Sequence, residues 1–265
     1  MLAPERRARI LAELERQGSV RVRQLVPLLG VSDMTVRRDL DVLQSEGQLF
    51  KVHGGATRHA ERSTDEPGFG AKSSLRRVEK EAIALRAATL VEPGSAVAIS
   101  AGTTTYAMAR HLADIPRLTV VTNSVRVADL LHAHGRSDWT VLLTGGLRTP
   151  SDALVGPLAI NALRSLHTDV VFMGTHGMDP STGFTTPNLM ESETNRALVA
   201  CARCLVVLAD SSKWGVAGLS SFAPLSDADV LVTDSQLASE ARAELTDHVG
   251  ELVLAEPAVN AAATG

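Results

Sequence analysis

From residue 79 onward, short aliphatic and β-branched runs alternate with longer segments of helical apolar spacing. The short runs lie at 95–100, 118–122, 139–144, 169–174, 204–209 and 229–233, and 251–255 is a candidate seventh. Helical patterns lie near 79–92, 103–113, 124–134, 157–166, 189–202 and 235–246. Few architectures accept that order. Strands separated by helices do not pair as tight hairpins, so neighbours run parallel and the helices cover both faces of the sheet. The pattern predicts an α/β domain with a mostly parallel sheet over residues 79–255.

Ligands of such sheets bind at the carboxyl ends of the strands. There the chain turns small and polar: Ser100 and Gly102-Thr103-Thr104-Thr105, then Thr122-Asn123-Ser124, then Thr144-Gly145-Gly146-Leu147-Arg148. The fourth and fifth ends give Gly174-Thr175-His176-Gly177 and Asp210-Ser211-Ser212-Lys213. Glycines let backbone N–H groups approach an anion, threonines add hydroxyl donors, and Arg148 and Lys213 supply formal charge. Singly, each is an ordinary turn or N-cap. Their convergence suits a small phosphorylated polyol, so Ser100, Asn123, His176 and Asp210 join the glycines, threonines and cations as candidate effector contacts.

Residues 1–58 follow a different pattern. Ile10, Leu11 and Leu14 predict a helix over 4–17 that Gly18 stops; Val22, Leu25, Leu28 and Leu29 predict a second over 21–29, ended by Gly30. Ser32 is a good N-cap for a third helix, with Val36, Leu40 and Leu43 on one face and Gly47 closing it. Residues 48–53 then alternate before Gly54-Gly55. Three short helices and a ribbon make a winged helix-turn-helix. Its third helix turns Thr35, Arg37, Arg38 and Asp41 outward, where arginine can pair with guanine and Ser32, Thr35, Lys51 and His53 can hold phosphates. The other reading of Arg37 and Arg38 is a solvated charge pair beside Asp39 and Asp41. Residues 1–58 carry ten Arg/Lys against seven Asp/Glu, and the remainder sixteen against twenty-three, so a polyanion is expected at the head. Residues 59–78 are rich in Ser, Gly, Pro and charge and predict a connector; 256–265 predicts a disordered tail.

The stretch 31-VSDMTVRRDLDVLQSEGQLFKVHGGA-56 closely resembles the DNA-binding signature of DeoR-family transcription regulators. The resemblance implies that Ser32, Thr35, Arg37 and Arg38 face operator DNA; Lys51 stands where Arg is frequent. The segments 100-SAGTTTYAMARHL-112, 120-VVTNS-124, 144-TGGLR-148, 154-LVGPLA-159, 174-GTHGMD-179, 183-GFTTPNL-189 and 206-VVLADSSKWG-215 look like that family's effector domain, which is similar in fold to ribose-5-phosphate isomerase. The family implies a pocket for a phosphorylated sugar or related metabolite that changes the grip on double-stranded DNA, most often in a repressor. Many members have Asp where this chain has Ser100. A helix-turn-helix reading two half-sites predicts a homodimer or higher homo-oligomer.

Catalysis is the weaker alternative. Aldose–ketose isomerisation needs a positioned carboxylate base. The loop that is acidic in the isomerases here reads Met173-Gly174-Thr175-His176-Gly177. No catalytic residue is assigned, and an isomerase with an accessory DNA-binding domain is kept as the alternative. Glu191 and Glu193 remain, as a solvated helix start or as counterparts of the isomerase glutamate. Cys201 and Cys204 have CxxC spacing without a second pair, so small buried hydrophobes are expected rather than a metal site. No cofactor is expected. The chain is 45% hydrophobic, its apolar runs are short and interrupted by charge, and its start is charged, which together predict a cytoplasmic protein without a membrane helix.

Overall fold

The computed structural model describes residues 2–46, 48–52, 54–57 and 68–257. The chain divides into two compact units, Met1–Arg62 and Ser63–Gly265. His53, Gly47 and residues 258–265 of the expected tail lie outside the described residues.

The first unit runs α1 (Ala3–Gln17), β1 (Ser19–Arg21), α2 (Val22–Leu29), α3 (Asp33–Ser45), β2 (Phe50–Val52) and β3 (Gly55–Thr57). Gly18 and Gly30 end α1 and α2 in the left-handed region, and their N–H groups close onto Leu14 and Val26 carbonyls. Ser32 caps α3 by accepting the Thr35 N–H at 3.3 Å. Ile10, Leu14, Leu25, Leu29, Val36, Leu40 and Leu43 meet in one core, with Val20, Leu49 and Ala56 closing it from the wing. Leu28, expected inside, is exposed. Val22, Leu25 and Leu29 take the inward stripe of α2, and Leu28 lies roughly a quarter-turn away. The wing has three antiparallel strands, in the order β1-β3-β2. Gly55 is obligatory there, because a Cβ at that position would lie 2.1 Å from the Val20 carbonyl oxygen.

The second unit opens with α4 (Phe69–Ser74) and α5 (Arg77–Ala88), so part of the segment expected as a connector is helical. There follow β4 (Ala96–Ile99), α6 (Thr103–Ala109), β5 (Thr119–Thr122), α7 (Val125–Ala133), β6 (Thr140–Leu143), β7 (Leu147–Arg148), β8 (Leu154–Val155) and α8 (Pro157–Leu163). The chain continues through β9 (Val170–Gly174), β10 (Gly177–Asp179), β11 (Gly183–Thr186), α9 (Leu189–Ala200), β12 (Leu205–Leu208), β13 (Ser220–Ala223), β14 (Val230–Asp234), α10 (Ser239–Thr246) and β15 (Glu251–Ala255).

Seven strands form one parallel sheet in the order β15-β14-β12-β9-β4-β5-β6. Alternate residues feed two cores. Val97, Ile99, Val120, Phe172, Val206 and Val232 pack under α5, α6 and α7. Ala98, Val121, Val171, Met173, Val207 and Leu231 pack under α8, α9, α10 and a second, antiparallel sheet, β10-β11-β13. Apolar side chains are thus needed on both faces of the inner strands, which is why those runs read as continuous. The chain starts the sheet at β4, moves outward through β5 and β6, and returns on the other side of β4 at β9. The order reverses between β4 and β9, and their carboxyl ends form the crevice where such sheets take ligands.

Candidate functional site

In the first unit, the outward face of α3 presents Arg37, Arg38 and Asp41, with Thr35 half-buried at its start. Ser32 Oγ lies 2.9 Å from Thr35 Oγ1. Arg37 is paired with Asp33 one turn earlier, and Lys51 with Asp41. Among the described residues Arg38 has no ion-pair partner. Exposed pairs of this kind add little stability, so DNA can take over Arg37 or Lys51 at little cost. Asp39 behaves differently. It is buried and accepts Arg6 Nε at 2.8 Å, Arg6 Nη2 at 3.2 Å and Arg7 Nε at 3.4 Å. It therefore pins α1 to α3 and is no part of a solvated pair with Arg37 and Arg38. Met34, passed over in the sequence, stands 80% exposed between Asp33 and Thr35 at the start of α3; its signal was an apolar residue off the apolar stripe.

In the second unit, the crevice between β4 and β9 is tied together by side chains. Ser100 Oγ accepts the Gly174 N–H at 3.0 Å, and Asn123 Oδ1 accepts the Ala101 N–H at 2.8 Å. Asn123 Nδ2 donates to the Leu154 carbonyl at 3.2 Å, and the Thr105 hydroxyl donates to the Ser100 carbonyl at 2.8 Å. Ser100, Asn123, Thr104 and Thr105 are buried. The network brings Ser100, Gly102, Thr105, Asn123 and Gly174 to one place and fixes the backbone there. Thr103 and Gly102 stay half-exposed at the start of α6. His176 is half-buried, with its N–H on the Thr185 carbonyl at 3.1 Å.

Two cationic groups flank this crevice. On the β12 side, Asp210 caps the turn that carries Lys213, and its carboxylate accepts the Ser212 N–H at 3.1 Å. Burial alone would raise the Asp210 carboxyl; the charges of Lys213, Lys80 and Arg76 and the Ser212 bond outweigh it and hold the group below its usual range. Lys80, from α5, is buried beside them and donates to the Lys72 carbonyl at 2.6 Å. Burial lowers its ammonium to about 8, with Asp210 opposing and Lys213 and Lys72 adding to the fall. On the β6 side, Gly145 and Gly146 lead into β7, where Arg148 bonds Asp152 at 2.8 Å and Arg126 bonds the same carboxylate at 2.7 Å. Gly146 has φ 126°, and a Cβ there would lie 2.6 Å from the Val155 carbonyl oxygen.

Lys80, Arg126 and Asp152 were missed in the sequence. Lys80 did leave a trace: with Ile83, Ala84 and Ala87 it falls on the apolar stripe of α5, where lysine is rare. Glu191 corrects another expectation. It is no solvated helix start, because it accepts the hydroxyls of Thr149 and Thr186 at 3.0 Å each, and also that of Ser151. Glu193 is exposed. Met173 is wholly buried in the core. Cys201 is buried and Cys204 half-buried, and burial raises both thiols. Among the described residues no cluster of potential metal ligands occurs, and no helix is long and apolar enough to cross a membrane.

A helix-turn-helix unit followed by an α/β unit with small, polar strand ends fits the class of DNA-binding regulators that carry a sensor domain. Residues 6–62 match the DeoR-like helix-turn-helix domain and residues 76–235 the DeoR C terminal sensor domain. The chain belongs to the DeoR family of transcriptional regulators. It is 35% identical to the HTH-type transcriptional regulator FruR of Bacillus subtilis over 89% of this chain and 93% of that protein. To the glycerol-3-phosphate regulon repressor of Escherichia coli it is 29% identical, over 96% of this chain and 100% of that protein. Among solved structures, a D-ribose-5-phosphate isomerase in complex with phospho-erythronic acid aligns at 16% identity and TM-score 0.39, over 51% of this chain and 52% of that one. The chain is thus a regulator and not an enzyme, and the isomerase alternative falls with the family assignment.

Proposed function

We propose that this regulator represses a carbohydrate-metabolism operon and releases its operator when a phosphorylated sugar or polyol occupies the crevice of the second unit. The observation that carries the reading is the buried Lys80 beside Lys213 and Asp210 at the strand ends. Burying an ammonium is costly, and Lys213 and Lys72 add to the cost while Asp210 opposes it; a phosphate dianion in reach of both lysines offsets the remainder. Thr103 and Gly102 add donors on the adjacent loop, and Arg148 and His176 serve the hydroxyl end. Support also comes from a relative of nearly equal length named as a glycerol-3-phosphate regulon repressor.

Residues 1–58 act as the DNA-binding domain and 79–255 as the sensor. Ser32, Thr35 and Lys51 hold phosphates, with His53 assigned the same role from sequence, and Arg37 and Arg38 reach base edges. A homo-oligomer in the cytoplasm places two such domains on two half-sites. The test is a thermal-shift screen of the purified chain against phosphorylated sugars and polyols, repeated for each hit on operator DNA selected from random duplexes. A compound that raises the melting temperature and frees the operator is the expected result. A panel without a single shift removes the sensor reading, and a hit that tightens operator binding removes release as its mode.

A further inference from the structure

Helix α4 is the first described element of the second unit. It has six residues and no buried side chain, too little to be helical alone. Contacts at both ends hold it. At its start, the Phe69 N–H donates to the Pro150 carbonyl at 3.3 Å. The Phe69 ring meets Tyr106 edge-on with centroids 5.5 Å apart, and the Arg126 guanidinium lies 5.1 Å from the Phe69 centroid. Toward its end, the Lys72 carbonyl accepts the buried Lys80 ammonium at 2.6 Å.

Every anchor adjoins the crevice. Tyr106 follows Thr105 in α6. Arg126 shares Asp152 with Arg148, and Pro150 lies in the loop between β7 and β8. Lys80 interacts with Asp210 and Lys213. Helix α4 is therefore fastened to both cationic groups of the site.

We propose that α4 is a strap that reports occupancy of the crevice to the connector. The proposal rests on the sensor reading given above. An anion held by Lys80 and Lys213 cancels their repulsion, and that of Lys72, and fixes the ammonium that grips the Lys72 carbonyl. With the site filled, α4 docks firmly. With the site empty, α4 detaches more often and its residues lengthen the connector. A longer tether lets each DNA-binding unit find its half-site; a shorter one withdraws that reach.

Hydrogen exchange on the full chain tests this, with inorganic phosphate, glycerol 3-phosphate and ribose 5-phosphate as probes and sodium chloride as control. Wherever a probe raises the melting temperature, exchange of the 68–76 peptide should slow several-fold. A melting shift with unchanged exchange at 68–76 overturns the strap and leaves the sensor standing. No melting shift with any probe removes the sensor reading, and the strap with it. Phe69→Ala supplies a second arm. It should expose 68–76 without ligand, keep the melting shift, and lose sugar-phosphate release of selected operator DNA. Normal release by Phe69→Ala also overturns the proposal.

Discussion

Individual residues carry chemistry that composition cannot sort. Asp39 and Asp41 sit two apart in one charged stretch, yet Asp39 falls on the inward stripe with Val36, Leu40 and Leu43. Its side chain is 3% exposed and that of Arg6 14%, so Asp39→Ala removes a buried carboxylate that accepts from both Arg6 and Arg7. Breaking a buried pair costs about 3–5 kcal/mol. The loss should show in urea unfolding of the first unit, while Asp41→Ala should change stability little. Ser100 shows the reverse: its position at a strand end was legible, but its hydroxyl accepts the Gly174 N–H, an engagement only the fold reveals. Lys80 gives a pH test. Its ammonium is lowered from 10.5 to about 8, first by burial. In the unfolded chain it stays protonated to higher pH, so U binds more protons between those values. The cost of the buried charge is therefore fully present below about pH 8 and fades as pH rises from there to 10.5. Phosphate binding follows the charge. A phosphate monoester is already a dianion above about pH 7, so the decline belongs to the protein. Affinity for a sugar-phosphate hit should fall roughly tenfold as the amine loses its proton, about the worth of one charge-assisted hydrogen bond. Lys80→Arg, which stays charged, should flatten the profile in titration calorimetry. A wild-type profile flat through pH 9 would separate Lys80 from the phosphate.

At the level of elements, legibility followed apolar content. The inner parallel strands announce themselves because both faces are buried, as in VVFMG of β9 and LVVL of β12. Strands β10, β11 and β13 read GMD, GFTT and SSFA, too rich in Gly, Ser and Thr to show a period, although β11 is wholly buried. Helix α4 stayed hidden because its order comes from contacts distant in sequence. The pair β7 and β8 was equally unreadable, and it positions Arg148. Gly146 makes that hairpin possible, since its φ and its approach to Val155 exclude a side chain. Gly146→Ala should cost about 1–3 kcal/mol of strain and displace Arg148. Calorimetry should then show weakened sugar-phosphate binding while operator affinity stays at the wild-type value. Unchanged sugar-phosphate binding, with the strain visible in the melting temperature, would place Arg148 outside the site.

For the whole molecule, the two units are useful only if they are thermodynamically coupled. A ligand shifts the balance between DNA-competent and incompetent arrangements only by its difference in affinity for them. That difference is reciprocal: if a phosphorylated sugar weakens operator binding by some factor, operator DNA weakens sugar binding by the same factor. Couplings of about 1–3 kcal/mol, or roughly 5–150-fold, are usual. The two factors are measurable independently, one from operator titrations with saturating sugar phosphate and one from calorimetry on the operator complex. They should agree within error. Lys213→Ala separates the roles of the units. It lies in the second unit, beyond any base or phosphate contact assigned to α3 or the wing. Operator affinity without ligand should therefore be unchanged, and the sugar phosphate should lose its effect because it no longer binds. If Lys213→Ala still binds the sugar phosphate and still releases DNA, the phosphate is held elsewhere. If it binds without releasing, Lys213 belongs to the coupling between the units and not to ligand capture.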